Sequence, residues 1–131
     1  MKGRPLTPCA GMLLTWIRIT GSRSMKDRRR VIQSLLEKIR GRWNVSAVDI
    51  GPDGSWTEAN LAFSAAASAL SMAEERLEAV YSFLTRMEET GEFTIIGRWR
   101  EVTCYDDISD AENQQTDAKG DIPPPGTEGK E

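Results

Sequence analysis

The chain has no histidine among its 131 residues. That removes the usual general base at neutral pH and the commonest metal ligand. Cysteine is nearly as scarce. Cys9 and Cys104 stand near opposite ends with no CxxC pair, so neither zinc-ligand spacing nor a disulfide framework is legible. The sequence reads as a cytoplasmic chain with reduced thiols. Long apolar runs are also missing. The longest, Ala10 to Ile17, stops at Arg18, far short of the roughly 20 residues a membrane span needs. Met1-Lys2-Gly3-Arg4 has the charge of a secretory leader, but Pro5, Pro8 and Gly11 interrupt the adjoining stretch and no small-residue cleavage site comes after it. Leu6-Thr7-Pro8-Cys9 lacks the apolar stretch that precedes a lipoprotein cysteine. Whether Met1 or Met12 starts the natural chain stays open at this level. No glycine-rich phosphate loop or nucleophile elbow is present. The expectation is therefore a protein that is not an enzyme, with no metal, no cofactor and no membrane partner.

Acidic residues are scarce in one part of the chain only. Residues 1–42 hold eleven Lys/Arg and two Asp/Glu, whereas residues 43–131 hold six and eighteen. The overall charge of -3 hides this split, which suggests a bipolar field with one face able to attract polyanions. Ser24-Met25-Lys26-Asp27-Arg28-Arg29-Arg30 concentrates the positive end. Ser24 with Asp27 forms a capping box, so this run opens a helix. A helix N-terminus already carries partial positive charge. Lys26, Arg28, Arg29 and Arg30 are unfavourable there unless an anion arrives, and phosphate is the natural candidate.

The periodicity orders the rest. Residues 12–20 alternate as a strand, with Leu13, Thr15, Ile17 and Ile19 on one side and Leu14, Trp16 and Arg18 on the other. The helix after Ser24 carries the stripe Val31, Ile32, Leu35, Leu36 and Ile39, with Gly41 as its C′ residue. A second strand fits 43–49, followed by a Gly51-Pro52-Asp53-Gly54 turn, and a third fits 57–68. A second capping box, Ser71 with Glu74, opens a helix burying Ala73, Leu77, Val80, Tyr81, Leu84 and Met87. A fourth strand fits 93–104. From Tyr105 on, acids and Pro123-Pro124-Pro125 dominate, and such a segment buries too little to offset ordering entropy of ~1–2 kcal/mol per residue. The expected organisation is an extension at 1–11, a domain at 12–105 and a disordered acidic tail at 106–131. The β-α-β-β-α-β order with split right-handed crossovers gives an α+β, ferredoxin-like plan. It is a four-stranded antiparallel sheet in order 4-1-3-2 with two helices on one face.

Ser24-Met25-Lys26-Asp27-Arg28-Arg29, then Arg40-Gly41-Arg42-Trp43-Asn44-Val45-Ser46, then Trp56 after the turn, resemble the YlxP-like family of small bacterial proteins of unknown function (domain of unknown function 503). That family typically shows S-L-K-x-K-R, R-x-R-F-N-V-S and a later tryptophan. Here Met25 replaces leucine, Arg28 lysine and Trp43 phenylalanine, each keeping size or charge. The resemblance spans roughly residues 12–104. It implies a ferredoxin-like fold. The family's genes often lie near translation and ribosome-maturation genes, which implies RNA or a ribosomal particle as partner.

The candidate phosphate-binding residues are Arg18, Arg23, Lys26, Arg28, Arg29, Arg30, Arg40 and Arg42. The alternative for each is a solvated or locally paired surface cation. Arg40 and Arg42, at the helix C-terminal end, also suit the helix dipole. Trp16 and Arg18 point away from the helices and form either a base-stacking platform or part of a dimer face. Ala62, Ser64 and Ala66 supply a smooth neighbouring surface, and both readings stay open. Asn44 and Ser46 read as strand-edge residues, Trp56 as a plug over the core, and Cys104 as packing. Asp49 and Glu58 flank the turn with no required pairing. Two functions from different classes fit these residues. One is a small RNA-associated protein acting on ribosomal RNA or an assembly intermediate. The other is a homodimeric interaction module without nucleic acid.

Overall fold

The computed structural model describes residues 7–106. The expectations for residues 1–6 and for the tail from 107 lie outside the described residues. The chain divides into Pro8–Cys104 and a second unit, Met1–Thr7 with Tyr105–Glu131. Pro8–Cys104 holds every α-helix and strand among the described residues. They are β1 (Cys9–Ile19), α1 (Met25–Arg42), β2 (Ser46–Asp49), β3 (Glu58–Ala67), α2 (Leu70–Glu88) and β4 (Phe93–Cys104). All pairings are antiparallel and the sheet order is β2-β3-β1-β4. This is the expected ferredoxin-like order, read from the other edge.

The core lies between the sheet and the two helices. Leu13, Ile17 and Ile19 of β1, Leu61 and Phe63 of β3, and Phe93 of β4 are buried with the whole expected α1 stripe. From α2, Ala73, Leu77, Val80 and Leu84 are buried as expected. Phe83 joins them, while Tyr81 and Met87 are only partly buried against the cluster. Thr15 is fully buried on the same face, and its hydroxyl has no hydrogen-bond partner among the described residues.

Several boundaries move. β1 opens at Cys9, not Met12, because the alternation continues backward. Cys9 and Gly11 are buried on the helix side and Ala10 pairs with Ala66 and Thr103. Pro8, which lacks an N–H, stands just before the strand. Cys9 lies directly opposite Cys104 across β1 and β4, and the two are joined as a disulfide. The free-thiol reading is therefore corrected: sequence spacing does not report cross-strand opposition.

α1 is capped as expected, with Ser24 Oγ accepting from Asp27 N–H at 3.1 Å. Asp27 Oδ2 accepts from Arg23 N–H at 3.0 Å, which ties down the entry. Gly41 does not end the helix. The helix runs through Arg42, and Trp43 N–H donates to Ile39 O at 3.0 Å from an extended backbone. The Trp43 ring meets Phe83 edge-on at 5.5 Å, so packing holds the exit and no left-handed glycine is required. β2 consequently starts at Ser46, not Trp43. α2 starts at Leu70 after Ala69, with no side-chain cap. Only Ser68 and Ala69 join it to β3, so Ser71 already lies in the first turn and its expected capping box does not form. Trp56 is 52% exposed, so it does not plug the core. It lies within a turn in which Ser55 Oγ accepts from the N–H groups of Thr57 and Glu58.

Gly11 is set by close approach. A Cβ there would stand 2.7 Å from Leu77 Cδ1 and 2.8 Å from Val102 Cγ2. Leu77 is fully buried and cannot retreat freely. Gly11→Ala is expected to destabilise by about 1–3 kcal/mol through overpacking. Urea unfolding measures this, and an unchanged midpoint would show that α2 can shift away.

Candidate nucleic-acid interface

The eight candidate cations fall into two groups of four. The first group has internal partners. Arg28 is buried, at 5% exposure. Its Nη1 and Nη2 donate to Asp49 Oδ2 and Oδ1 at 2.7 and 3.0 Å, and its Nε donates to the Glu58 carbonyl at 2.9 Å. Arg28 is thus withdrawn from the phosphate surface, because its three donor nitrogens are committed to joining α1, β2 and β3. Asp49 Oδ1 also accepts from Gly51 N–H at 2.9 Å. Burial pushes the Asp49 carboxyl up. The Arg28 hydrogen bonds, the Gly51 N–H and the Arg28 charge outweigh that, and its pKa lies below the ordinary value of 3.8. Asp49 and Glu58, which no sequence pattern pairs, are connected through this one guanidinium.

Arg40 donates to the Ala47 carbonyl and ties the end of α1 to β2. The Arg42 guanidinium lies 4.8 Å from the Trp43 ring centroid and 5.4 Å from that of Phe83, a cation–π contact that covers the α1–α2 seam. Arg18 pairs at 3.3 Å with Glu58, its direct cross-strand neighbour.

The second group is Arg23, Lys26, Arg29 and Arg30. All four side chains are exposed. No salt bridge, side-chain hydrogen bond or ring contact engages them among the described residues. Lys26, Arg29 and Arg30 sit at i, i+3 and i+4, so they share one helix face. Lys26 and Arg30 at i, i+4 repel one another by a few tenths of a kcal/mol. The nearest offset is Asp27 in the same turn. The Asp27 N–H is already used by the cap, so side chains rather than the backbone offer the positive charge.

On the sheet face away from the helices, Trp16 is 43% exposed. Its cross-strand partners are Asn60 on β3 and Gly97 on β4. Trp99, opposite Leu14, stands on the same face at 50% exposure, and Met12 is 40% exposed. Sequence pattern does not single out Trp99 or Met12. A bulge between Ile95 and Gly97 resets the alternation of β4, and Met12 stands at the expected end of its strand rather than inside it. Asn44, two residues before β2, and Ser46, its first residue, are both exposed. Among the described residues no group of three or more Asp, Glu, Cys or His is placed to hold a metal, and no helix is long and apolar enough to cross a membrane.

The molecule is thus a small ferredoxin-like α+β domain whose basic helix start carries four exposed cations with no side-chain partner among the described residues. Residues 10–96 match the family described as protein of unknown function (DUF503), and the chain belongs to it. It is similar to the uncharacterized protein YlxP of Bacillus subtilis (strain 168), with 27% identity over 66 residues, half of this chain and 72% of that protein.

Proposed function

We propose that this protein binds RNA through the start of α1, in the cytoplasm, on ribosomal RNA or a ribosome-assembly intermediate, and without catalysing a reaction. The observation that carries the reading is the division among the candidate cations. Where a structural role exists, the guanidinium takes it. Among the described residues the side chains of Arg23, Lys26, Arg29 and Arg30 have none and are held together against mutual repulsion. A phosphate backbone is the partner that turns this repulsion into binding. The setting of ribosomal RNA rests on what the family resemblance implies, whereas the charge geometry argues only for a polyanion.

The test replaces Lys26, Arg29 and Arg30 together by Gln, which preserves helix propensity. Thermal stability is expected to stay level or rise slightly. Affinity for a short single-stranded RNA should fall. The dependence of log affinity on log salt should flatten by about 2, three contacts at ~0.7 each. An unchanged affinity and slope would reduce the cluster to a solvated surface and remove the basis for the proposal.

A further inference from the structure

We infer that the sheet face opposite the helices is the interface of a homodimer, occupied by a second copy of this chain. None of its residues belongs to the α1 cluster, so the inference stands apart from the RNA reading. The face is apolar and uncovered among the described residues. Met12, Trp16 and Trp99, on adjacent strands β1 and β4, project at 40%, 43% and 50% exposure. Beside them β3 presents Ala62, Ser64 and Ala66, which share this face by register with Leu14, Met12 and Ala10. A ridge of large side chains therefore runs next to a trough of small ones. A two-fold axis parallel to the strands, between two facing sheets, carries the β1–β4 half of one copy over the β3–β2 half of the other. By register, Met12 then lies over Ser64, Trp16 over Asn60 and Trp99 over Val48 of the other copy, and each contact occurs twice, as an isologous interface requires.

Charge favours the same occupant. The cation Arg18 on this face is already paired with Glu58, and Glu101, opposite Met12, adds an anion. Arg98 and Arg100 of β4 turn to the other side, where both approach Glu78 of α2. Among the described residues, a phosphate chain laid across the open face would meet no free cation, whereas an apolar protein surface meets no unpaired buried charge apart from Glu101 near its margin. Size is adequate as well. Strands of 11, 4, 10 and 12 residues at ~3.3 Å per residue and ~4.8 Å apart give a projected face on the order of 600 Å². Side-chain relief raises the accessible area toward the roughly 800 Å² per partner of a standard interface. Two sheets packed this way leave both α1 helices outward.

The full-length chain is examined by sedimentation equilibrium across a concentration series. The expected result is a dimer of the 14.6 kDa chain. Trp16→Glu and Trp99→Glu should each raise the dimer dissociation constant by roughly 100-fold or more, since each buries an unpaired carboxylate in the contact. Both positions are half exposed in the single chain, so the far-ultraviolet spectrum and melting cooperativity should persist. Met12→Lys provides the same test if either tryptophan variant aggregates. A wild-type chain that stays monomeric up to hundreds of micromolar, or variants that keep the wild-type mass, would overturn the inference. So would a monomeric wild type whose RNA affinity is lost in Trp16→Glu, which would make the face a base-stacking platform instead.

Discussion

Replacing Arg28 by Met should cost about 3 kcal/mol or more of stability, the lower part of the ~3–5 kcal/mol range for breaking a buried ion pair from one side. The loss comes from what is stranded. Asp49 loses two charge-assisted hydrogen bonds, at 2.7 and 3.0 Å, and the Glu58 carbonyl loses its donor. The Asp49 side chain keeps 27% exposure, so water recovers part of its solvation and holds the cost toward the lower end. Urea unfolding at neutral pH measures the difference, and a midpoint within error of wild type would show that the pair contributes nothing net. The pH dependence gives a second reading of the same contact. The Asp49 pKa in the fold lies below its ordinary 3.8. Its contribution is thus fully present above that value and is lost as pH falls through the lower folded value. Wild type should lose this component on acidification below about pH 4, and Asp49→Asn should lack it.

Arg28 also shows why the sequence misleads at this site. The motifs that carry the family resemblance include Arg28, Arg40, Arg42 and Trp43, and each has a fold-holding contact: Asp49, the Ala47 carbonyl, and the Trp43–Phe83 seam. The positive charge that looks like an invitation to phosphate at Arg28 is answered by a carboxylate 21 residues on. No local pattern reveals that, because it depends on β2 ending beside the first turn of α1. The fold itself is legible for the opposite reason. The β1 alternation and the α1 stripe are local and strongly periodic, and the order of six elements leaves few ways to bury both helices on one sheet. What local pattern misses is decided across strands or by packing. The Cys9–Cys104 opposition and the shared face of Trp16 and Trp99 depend on register, whereas the Gly11 approach to Leu77 and the displaced helix ends at Gly41 and Ser71 depend on packing and on the length of the connections.

Breaking the Cys9–Cys104 bridge should have the other large effect. The bond joins residues 95 apart and so ties the first strand residue to the last. In the chain-entropy account, closing a loop of about 100 residues removes enough unfolded-state freedom to stabilise the fold by ~4.7 kcal/mol, and native disulfides in small domains measure ~2–5 kcal/mol. In this account the contribution acts on the unfolded chain, and the β1–β4 ladder that ends at the two cysteines is expected to keep its own backbone hydrogen bonds without the bridge. Reduction should therefore leave the circular dichroism spectrum of the native state unchanged while lowering the melting midpoint. At ~4–8 °C per kcal/mol for a domain of this size, the fall should be on the order of 10–30 °C. Cys104→Ser should melt with the reduced protein and become indifferent to reductant. Mass spectrometry of the untreated chain should show the loss of two hydrogens relative to the reduced one. In a reducing compartment the same pair is a dithiol, and the sheet must then hold its ends by hydrogen bonds alone. Equal midpoints for the oxidised and reduced wild type would show that the ladder already closes the domain and that the bridge adds nothing to its stability.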